Sequence, residues 1–561
     1  MSSLTSALNS ANSALRFNQS ALSVVSNNVA NTNTDGYTRQ VITSQNQVVG
    51  GEGQGVTGTV IRYSNDKMQA NINDQSSLVS YNSTVKEYFD VIESKLGKLD
   101  NSSNLEKQFS DMFTQLNNLI TDPTLSSNRV IFKNATVQTT DRLNTLANDL
   151  VNTQVDIDGQ ITTDLDAVNR SLKNINDLNK QIAQIERTGD TSSNLQDLRQ
   201  QEIDKIAKDF NINVETKSEN QIYISLDSGK MLVDSTYVQL SRSAPAPGET
   251  FGAIATQRVI EEQGSLSNSV QLLSAEDLKA GNIGALVSLR DEKIPSMVEE
   301  LNNFATSLIT EFNNIHSQGS AVPPPNVLSS LQYINGGSTL LTDIGLQAGT
   351  DFDLSIVDSS GNPVASTAGL PYVGTASGST ITGTTSATFD PEAYLAANGT
   401  SANIEGSAGV EYLGGNNYRM IDPSGSIHLA TINPAAYPVG ATPAQLDFGN
   451  GVVLNVDPGT NQPAVGPVGT IDLALTDGAI RIEQGDTVDD LAAKINSNAT
   501  MSAEVTASVV DGALVLTSNN TANGVVLGND PTGDTFNKLG FNQYFTGTDA
   551  TNIKVSDDVL N

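Results

Sequence analysis

The stretch SNNVANTNTDGYTR, which runs from Ser26 to Arg39, marks the place where a heptad-patterned amino terminus gives way to a turn. It is rich in asparagine and contains Asp35-Gly36, and these residue types favour helix ends, turns and left-handed backbone over a helix interior. We therefore expect the first helix to end near Val29.

Upstream of this stretch, residues of one stripe recur at alternating spacings of four and three. The stripe consists of Leu4, Leu8, Ala11, Leu15, Asn18, Leu22, Val25 and Val29. Such a narrow seam is typical of helices that pack against other helices. Two interpretations compete: the helix docks on its own domain, or residues 1–30 are mobile in the free chain and become ordered only against neighbouring chains. The Asn-rich stretch that follows favours the second. Asn18 is either a surface break in the stripe or a polar residue that sets the packing register.

The next 280 or so residues predict mainly helix, with two β segments. Residues 41–63 are β-branched and glycine-interrupted, which predicts a hairpin. Apolar residues at spacings of three or four from Leu143 to Ile185 predict one long helix, and Leu195 to Ala207 predicts another. Residues 211–242 alternate as short strands, and Ala275 to His316 returns to helix.

Beyond Pro323-Pro324-Pro325 the composition changes to Gly, Ser, Thr, Ala and Pro, with strand-like islands and a short helix predicted from Thr487 to Asn496. The predicted fold class is α+β multidomain, with a heptad-patterned N-terminal helix and a long-helix bundle followed by β-rich outer domains. The predicted domains are 1–40 with the helix and the Asn-rich signature, 41–320 with the bundle and a small β unit at about 211–260, 321–465, and 466–561.

Composition excludes several classes of function. The chain of 561 residues has 30 Lys plus Arg against 62 Asp plus Glu, for a net charge of -32. Only five basic residues follow Lys293. Such a polyanion is repelled by nucleic acid and by anionic membranes, so neither is an expected partner. There is no run of 18 apolar residues and no signal-peptide pattern at the amino terminus.

The sequence predicts no catalytic, cofactor-binding or metal site, and we expect no enzyme. Cysteine is absent, and the two histidines, His316 and His428, are expected to be structural, with no acidic ligand near His428. Gly53, Gly55 and Gly58 match GxGxxG, but the next residues read as strand rather than helix. We interpret these glycines as a loop between strands.

The Asn-rich stretch resembles the amino-terminal signature of bacterial flagellar axial proteins, and its ending is most similar to that of the hook-associated members. The residues that carry this resemblance are Asn27, Asn28, Ala30, Asn31, Gly36, Tyr37 and Arg39. Three later segments support it, in the same order: Asn194 to Arg199, Gly284 through Asp291, and Phe312 to His316 with Gly319.

The resemblance implies a structural subunit that joins hook to filament by self-assembly, with the stripe as its assembly interface. It implies type III export without a cleaved signal, an extracellular place in the flagellum, and as partners other copies of the chain, hook protein, hook-associated protein 3 and an export chaperone. Residues 466–561 resemble a domain with a flagellin or hook-type insertion, which ends before the expected C-terminal helix. Alternatives are another axial protein of the hook type, or a secreted adhesin or surface protein with a helical stalk.

Overall fold

The computed structural model comprises two compact units, residues 1–303 and 304–561. The structure describes residues 2–34, 36–49, 52–97, 104–188, 192–260, 265–330, 338–368, 373–378, 387–389, 406–422, 425–432, 444–449, 452–456, 464–477, 479–498, 500–530 and 532–560. The four domains expected from the sequence are a finer division than these two units, and they stay a prediction.

Unit 1 begins with a helix and a hairpin. Helix α1 (Ser2–Ala30) ends one residue past Val29, close to the predicted end. Strands β1 (Gln40–Val49) and β2 (Glu52–Arg62) then pair antiparallel, with Val41 opposite Ile61. The predicted hairpin is confirmed.

Four helices follow the hairpin. They are α2 (Asp66–Leu96), α3 (Leu105–Thr121), α4 (Ser126–Thr188) and α5 (Ser193–Asp209). Asparagine side chains cap the amino-terminal ends of α2 and α3. Asn65 Oδ1 accepts from the backbone N–H groups of Lys67 and Met68, and Asn104 Oδ1 accepts from that of Glu106. The single long helix predicted from Leu143 to Ile185 is confirmed within the 63 residues of α4.

A small β region, a short helix and the first part of a longer helix complete unit 1. The strands are β3 (Ile212–Thr216), β4 (Ile222–Leu226), β5 (Met231–Val233), β6 (Val238–Arg242), β7 (Ile254–Ile260) and β8 (Ser265–Leu272). They form two antiparallel sheets, β3-β4-β5 and β6-β7-β8. The sequence predicts one helical stretch from Ala275 to His316, and the structure divides it.

The divided stretch consists of a 3-10 turn, helix α6 (Gly281–Ser288), a π-helical turn and helix α7 (Ile294–His316). Gly281 explains the first break. It has a φ of 80°, and a Cβ there would lie 2.2 Å from the carbonyl oxygen of Asp209. The start of α6 therefore approaches the end of α5 too closely for any other residue.

The core of unit 1 is built along α4. Every apolar residue of the predicted stripe from Leu143 to Ile182 is buried, and Ile185 at its end is partly buried. The same apolar cluster takes in Ile92 of α2, Ile203 and Ile206 of α5, and apolar residues of the β region and α6. Because the stripe recurs every three or four residues, one side of a single helix can serve as the wall of the whole core.

Unit 2 is β-rich, as predicted. Its strands are β9 (Val327–Ser329), β10 (Asp351–Val357), β11 (Pro363–Ser366), β12 (Val373–Gly378), β13 (Ala387–Phe389), β14 (Gly406–Gly414), β15 (Asn417–Ile421), β16 (Ile427–Thr431), β17 (Ala444–Asp447), β18 (Val452–Val456), β19 (Gly466–Asp477), β20 (Ile480–Arg481), β21 (Val505–Val510), β22 (Ala513–Ser518), β23 (Gly524–Gly528), β24 (Phe545–Thr546) and β25 (Lys554–Val555). Eight of them form one sheet in the order β16-β15-β14-β19-β12-β13-β18-β17.

The described part of unit 2 contains three further short helices: α8 (Val488–Ser497), α9 (Thr535–Lys538) and α10 (Asp557–Leu560). Helix α8 lies where the sequence predicts one. Thr487 and Asp490 form a capping box at its first turn, in which each side chain binds the backbone N–H of the other residue. The α+β fold class is confirmed.

The glycines of the GxGxxG match are placed differently from the prediction. Gly53, Gly55 and Gly58 lie within strand β2, paired with β1, and not in a loop between strands. A nucleotide-binding turn requires a helix directly after the glycines, and here strand β2 continues to Arg62 instead.

The α4 core can be tested with two substitutions on the same helix. Ile161 is fully buried and Val155 is 56% exposed. We expect Ile161→Ala to lower the free energy of unfolding of unit 1 by about 2 to 4 kcal/mol, because it leaves a cavity. Val155→Ala should change it by less than about 0.5 kcal/mol. Denaturant unfolding followed by circular dichroism measures both, and equal effects would contradict the placement of the stripe.

Candidate assembly surface on the first helix

Helix α1 packs on the hairpin through a face of mostly small and polar residues. Val24 is buried, and Ser13, Phe17, Ala21 and Asn28 are partly buried. The Oγ of Ser13 accepts a hydrogen bond from the backbone N–H of Val56 at 3.1 Å. These residues recur every three or four positions, so they form one side of the helix.

Two glycines of β2 allow this close packing. A Cβ at Gly55 would lie 1.8 Å from Ser13 Oγ, and one at Gly58 would lie 2.7 Å from the ring of Phe17. Gly55 also has a φ of 124°, which other residues rarely adopt. Two of the glycines in the GxGxxG match, Gly55 and Gly58, therefore form the surface of β2 on which α1 packs.

The heptad stripe lies on a different side of α1 and is exposed along its whole length. Ala11 and Asn18 are exposed, and the exposed fractions of the large side chains are 79% for Leu4, 70% for Leu8, 59% for Leu15, 70% for Leu22, 58% for Val25 and 70% for Val29. The helix thus docks on its own hairpin, which is the interpretation that the sequence favours less, but it does not dock through the stripe. The predicted role of the stripe in assembly stays a prediction.

Asn28 joins the end of α1 to the start of β1. Its Nδ2 donates to the carbonyl oxygen of Gln40 at 2.8 Å, and its Oδ1 accepts from the Gln40 backbone N–H at 2.9 Å. The hydroxyl of Tyr37 donates to the same Oδ1 at 2.9 Å. One amide side chain therefore replaces a pair of strand hydrogen bonds, which no apolar residue could do.

The other signature residues end the helix. Asn31 Nδ2 donates to the carbonyl of Asn27 at 3.0 Å, and Thr32 Oγ1 donates to the carbonyls of Asn28 and Val29 at 2.9 Å. These bonds satisfy carbonyls that have no partner within the helix. Gly36 has a left-handed φ of 75°, as its place in the turn predicts.

Ala30 is the last residue of α1, and Arg39 has an exposed side chain. The carbonyl of Arg39 accepts from the N–H of Tyr63, so its backbone closes the hairpin. Asp35 lies outside the described residues. The structure thus brings Asn27, Asn28, Ala30, Asn31, Gly36 and Tyr37 together at the end of α1.

An ion pair that the sequence does not predict ties the hairpin to α5. Arg62 Nη2 lies 2.8 Å from Asp197 Oδ1 and donates to Thr38 Oγ1 at 2.8 Å. Gln40 Nε2 adds a weaker bond to Asn194 Oδ1 at 3.5 Å. Burial raises the pKa of Asp197, while the charge of Arg62 and the hydrogen bonds of Thr38 oppose that rise. Asn194 and Asp197 belong to the segment Asn194 to Arg199, which supports the family resemblance but for which the sequence predicts no contact.

Arg199, from the same segment, ties α5 to α4 and to the β region. Its Nη1 donates to Asn179 Oδ1 at 2.8 Å and to the carbonyl of Asn220 at 2.7 Å. Asn179 in turn donates to the carbonyl of Ile222. Burial lowers the pKa of Arg199 to about 10, with repulsion from Arg62 adding to the effect. The guanidinium is therefore a structural cross-link in a polar part of unit 1.

The histidines take part in structural contacts. His316 is the last residue of α7, and its Nδ1 lies 2.7 Å from the carbonyl of Asn542. The expectation that His428 lies far from acidic residues is wrong: its Nε2 is 3.0 Å from Asp422 Oδ2, because β15 and β16 pair and bring the two residues together. Within the described ranges no group of three or more His, Cys, Asp or Glu side chains could hold a metal ion.

None of the helices in the described part of the chain combines the length and the apolar character that crossing a membrane requires.

Comparison with known families gives two matches. Residues 89–323 match the family described as the flagellar hook-associated protein FlgK helical domain. Residues 8–38, which contain most of the stripe and the signature, match the family described as flagella basal body rod protein. The resemblance to flagellar axial proteins that the sequence predicts is confirmed.

Individual proteins that are similar to this chain are also hook-associated proteins. Flagellar hook-associated protein 1 of Bacillus subtilis is 27% identical over 57% of this chain and 68% of its own length. The Escherichia coli protein of that name is 23% identical over 63% of this chain and 67% of its own length. The Salmonella typhimurium protein is 26% identical over 56% and 57% respectively. The matched regions therefore span about two thirds or less of these relatives.

One solved structure, the flagellar hook junction protein FlgK from Burkholderia pseudomallei, matches 76% of this chain and 64% of its own chain at 18% identity. The TM-score is 0.38, which is too low to assign the fold. The fold assignment rests on the elements described above.

The Asn28 contact can be tested by substitution. Asn28→Ala removes both bonds to Gln40, and we expect a cost of about 1 to 2 kcal/mol in the local stability of the hairpin. Amide hydrogen exchange at Gln40 should become roughly tenfold faster or more. Asn33→Ala is the matched control, because Asn33 is an exposed residue of the same turn. Unchanged exchange at Gln40 in Asn28→Ala would contradict the assignment.

A double-mutant cycle of Arg62→Gln and Asp197→Asn measures the strength of the hairpin–α5 ion pair. Both side chains are at most 12% exposed, so we expect a coupling free energy of about 1 to 3 kcal/mol. The reference cycle is Lys173→Gln with Asp177→Asn on α4, a well-exposed pair, for which we expect at most about 0.5 kcal/mol. Similar coupling in the two cycles, read from denaturant unfolding, would refute a special role for Arg62.

Proposed function

Because residues 89–323 match the helical domain of the flagellar hook-associated proteins, we propose that the stripe of α1 packs against neighbouring subunits in the flagellar axis. The chain is a structural protein of the bacterial flagellum, related to hook-associated protein 1, with its role at the junction of hook and filament. The observation that carries the proposal is the exposure of all eight stripe residues on a helix that is otherwise docked.

The size of the stripe suits this role. At 1.5 Å per residue, the 29 residues of α1 extend about 40 Å. Six of its side chains are large and apolar, and covering each would contribute roughly 1.5 to 2 kcal/mol. The total of roughly 10 kcal/mol must outweigh the loss of freedom on association. The total is of the same order as that cost, so it can support a contact that is repeated between many subunits.

The charge distribution also favours packing through α1. Copies of a chain with a net charge of -32 repel one another. Arg16 is the only charged side chain between Ser2 and Ala30, so this repulsion is weakest where the stripe lies. Strongly acidic segments can then remain in solvent while α1 forms the contact.

The contacts of Asn28 and Arg62 prepare α1 for assembly. They hold the helix end and the hairpin through directional bonds that involve none of the stripe residues. A fixed helix loses less freedom on binding than a mobile one. The helix is thus presented with its stripe outward before a neighbouring subunit arrives.

The partners follow from this position in the flagellum. Beyond other copies of the chain, we propose hook protein and hook-associated protein 3 as the adjacent axial subunits, and an export chaperone before assembly. Export through the flagellar type III apparatus without a cleaved signal would bring the chain to the outside of the cell. A role as a hook-type axial protein is the second candidate, because residues 8–38 match a family shared with rod proteins.

Cross-linking tests the stripe directly, because the natural chain has no cysteine. Leu15→Cys places a single thiol in the stripe, and we expect it to form disulfide-linked dimers rapidly in concentrated, oxidised solution. Ser20→Cys, exposed on the side of α1 away from the stripe, should form few. Gel electrophoresis without reductant counts the dimers, and equal yields would contradict packing through the stripe.

A further inference from the structure

Four helices of unit 1 meet at one asparagine. Asn282 of α6 donates from Nδ2 to Asp164 Oδ2 of α4 at 2.8 Å and to Asp209 Oδ1 of α5 at 3.4 Å. Its Oδ1 accepts from Thr84 Oγ1 of α2 at 2.8 Å. A single side-chain amide therefore connects α2, α4, α5 and α6. We call these four residues the carboxylate node.

The node contains two carboxylates of like charge. Their oxygens contact the same nitrogen, so they lie no more than about 6 Å apart, a distance at which like charges disfavour one another. The approach of α6 to α5 at Gly281 keeps Asn282 in place. The pair cannot simply move apart, because each carboxylate is fixed on a helix of the same core.

The surroundings do little to neutralise the node. Lys208 of α5 is the cation that acts on Asp209. Gln160 of α4 donates from Nε2 to Asp164, and Tyr88 of α2 feels the charge of Asp164 together with those of the exposed Glu87 and Asp156. Gly281–Ser288, the whole of α6, contains no charged residue. The acidic groups thus outnumber the single lysine.

Burial raises the pKa of Asp209 to about 7, and repulsion from Asp164 adds to it, while Asn282 and Lys208 act in the opposite direction. Burial also raises the pKa of Asp164, against its bonds from Gln160 and Asn282. Both shifts favour the protonated acid in the folded state.

We propose that Asp164 and Asp209 share one proton near neutral pH, and that this proton holds α6 and α2 against α4 and α5. With one proton, the pair carries a single negative charge and both acids can bind Asn282. Without it, two partly buried charges compete for the same donor. The carboxylate node is therefore a proton-dependent clasp in unit 1, and this inference is independent of the role of the stripe.

The direction of the pH effect follows from the pKa values. Below pH 4 the acids are protonated in the folded and the opened state alike. Between pH 4 and about 7 the folded state retains a proton that the opened state releases, so stability falls as the pH rises. Above about 7 both states have lost it and the fall ends. The slope cannot exceed about tenfold in the opening equilibrium per pH unit.

Hydrogen exchange of the full chain, corrected for the intrinsic effect of pH, tests the clasp. We expect the opening equilibrium of α6 to rise by about tenfold or more between pH 5 and pH 7.5 in the natural chain. In Asp209→Asn the rise should be at least severalfold smaller, because the acid that titrates near pH 7 is gone and only Asp164 remains. Asp204→Asn is the matched control: Asp204 lies on α5 and accepts from Gln69 of α2, and this variant should keep the natural response.

A second readout does not depend on stability. At pH 6 the infrared spectrum of the natural chain should show a band of a protonated carboxyl that is absent from Asp209→Asn and retained in the control Asp204→Asn. If Asp209→Asn fails to fold, the presence or absence of the band in the natural chain still decides. The proposal is overturned if that band is absent from the natural chain, or if α6 opens with the same pH dependence in Asp209→Asn.

Discussion

Burial of the α4 stripe is the interaction on which the rest of unit 1 depends. One side of a 63-residue helix supplies the wall against which α5, α6 and the β region pack. Polar side chains then fix these elements at defined points along it. Asn179 of α4 binds Arg199 of α5, and Asp158 of α4 binds the buried Arg290. The apolar stripe of α4 provides the surface on which these elements pack, and the polar bonds fix their positions along the helix.

The first helix is held by different physics. No residue of α1, β1 or β2 belongs to the main apolar cluster of unit 1 in the part of the chain that the structure describes. Small side chains on α1 meet glycines on β2, so little apolar area is buried, and bonds such as that of Asn28 to Gln40 fix the position. An isolated helix of this kind is only marginally stable in water. Its anchoring leaves its most apolar side available to a partner.

The sequence predicts the elements whose signals are periodic or local. The spacing from Leu143 to Ile185 identifies α4, and the asparagines after Val25 identify the end of α1. Contacts that arise from tertiary packing or strand pairing are not periodic signals. Arg62 and Asp197 are 135 positions apart, and His428 meets Asp422 only because two strands pair. The prediction that the glycines of β2 form a loop is wrong for the same reason. Their absence of side chains is explained by α1, which lies about 40 residues earlier.

The residues that carry the family resemblance are those that bind backbone groups where elements join. Asn28 closes α1 onto β1, Arg199 fixes α5 to the β region, and in unit 2 Asn313 binds the backbone of Tyr544 and Phe545 with both ends of its amide. A backbone N–H and carbonyl at fixed positions accept only a side chain of the right length with donor and acceptor together. An apolar stripe tolerates Leu, Ile or Val at most positions. Particular residues are therefore required at these joints, whereas the stripe requires only a pattern of apolar side chains.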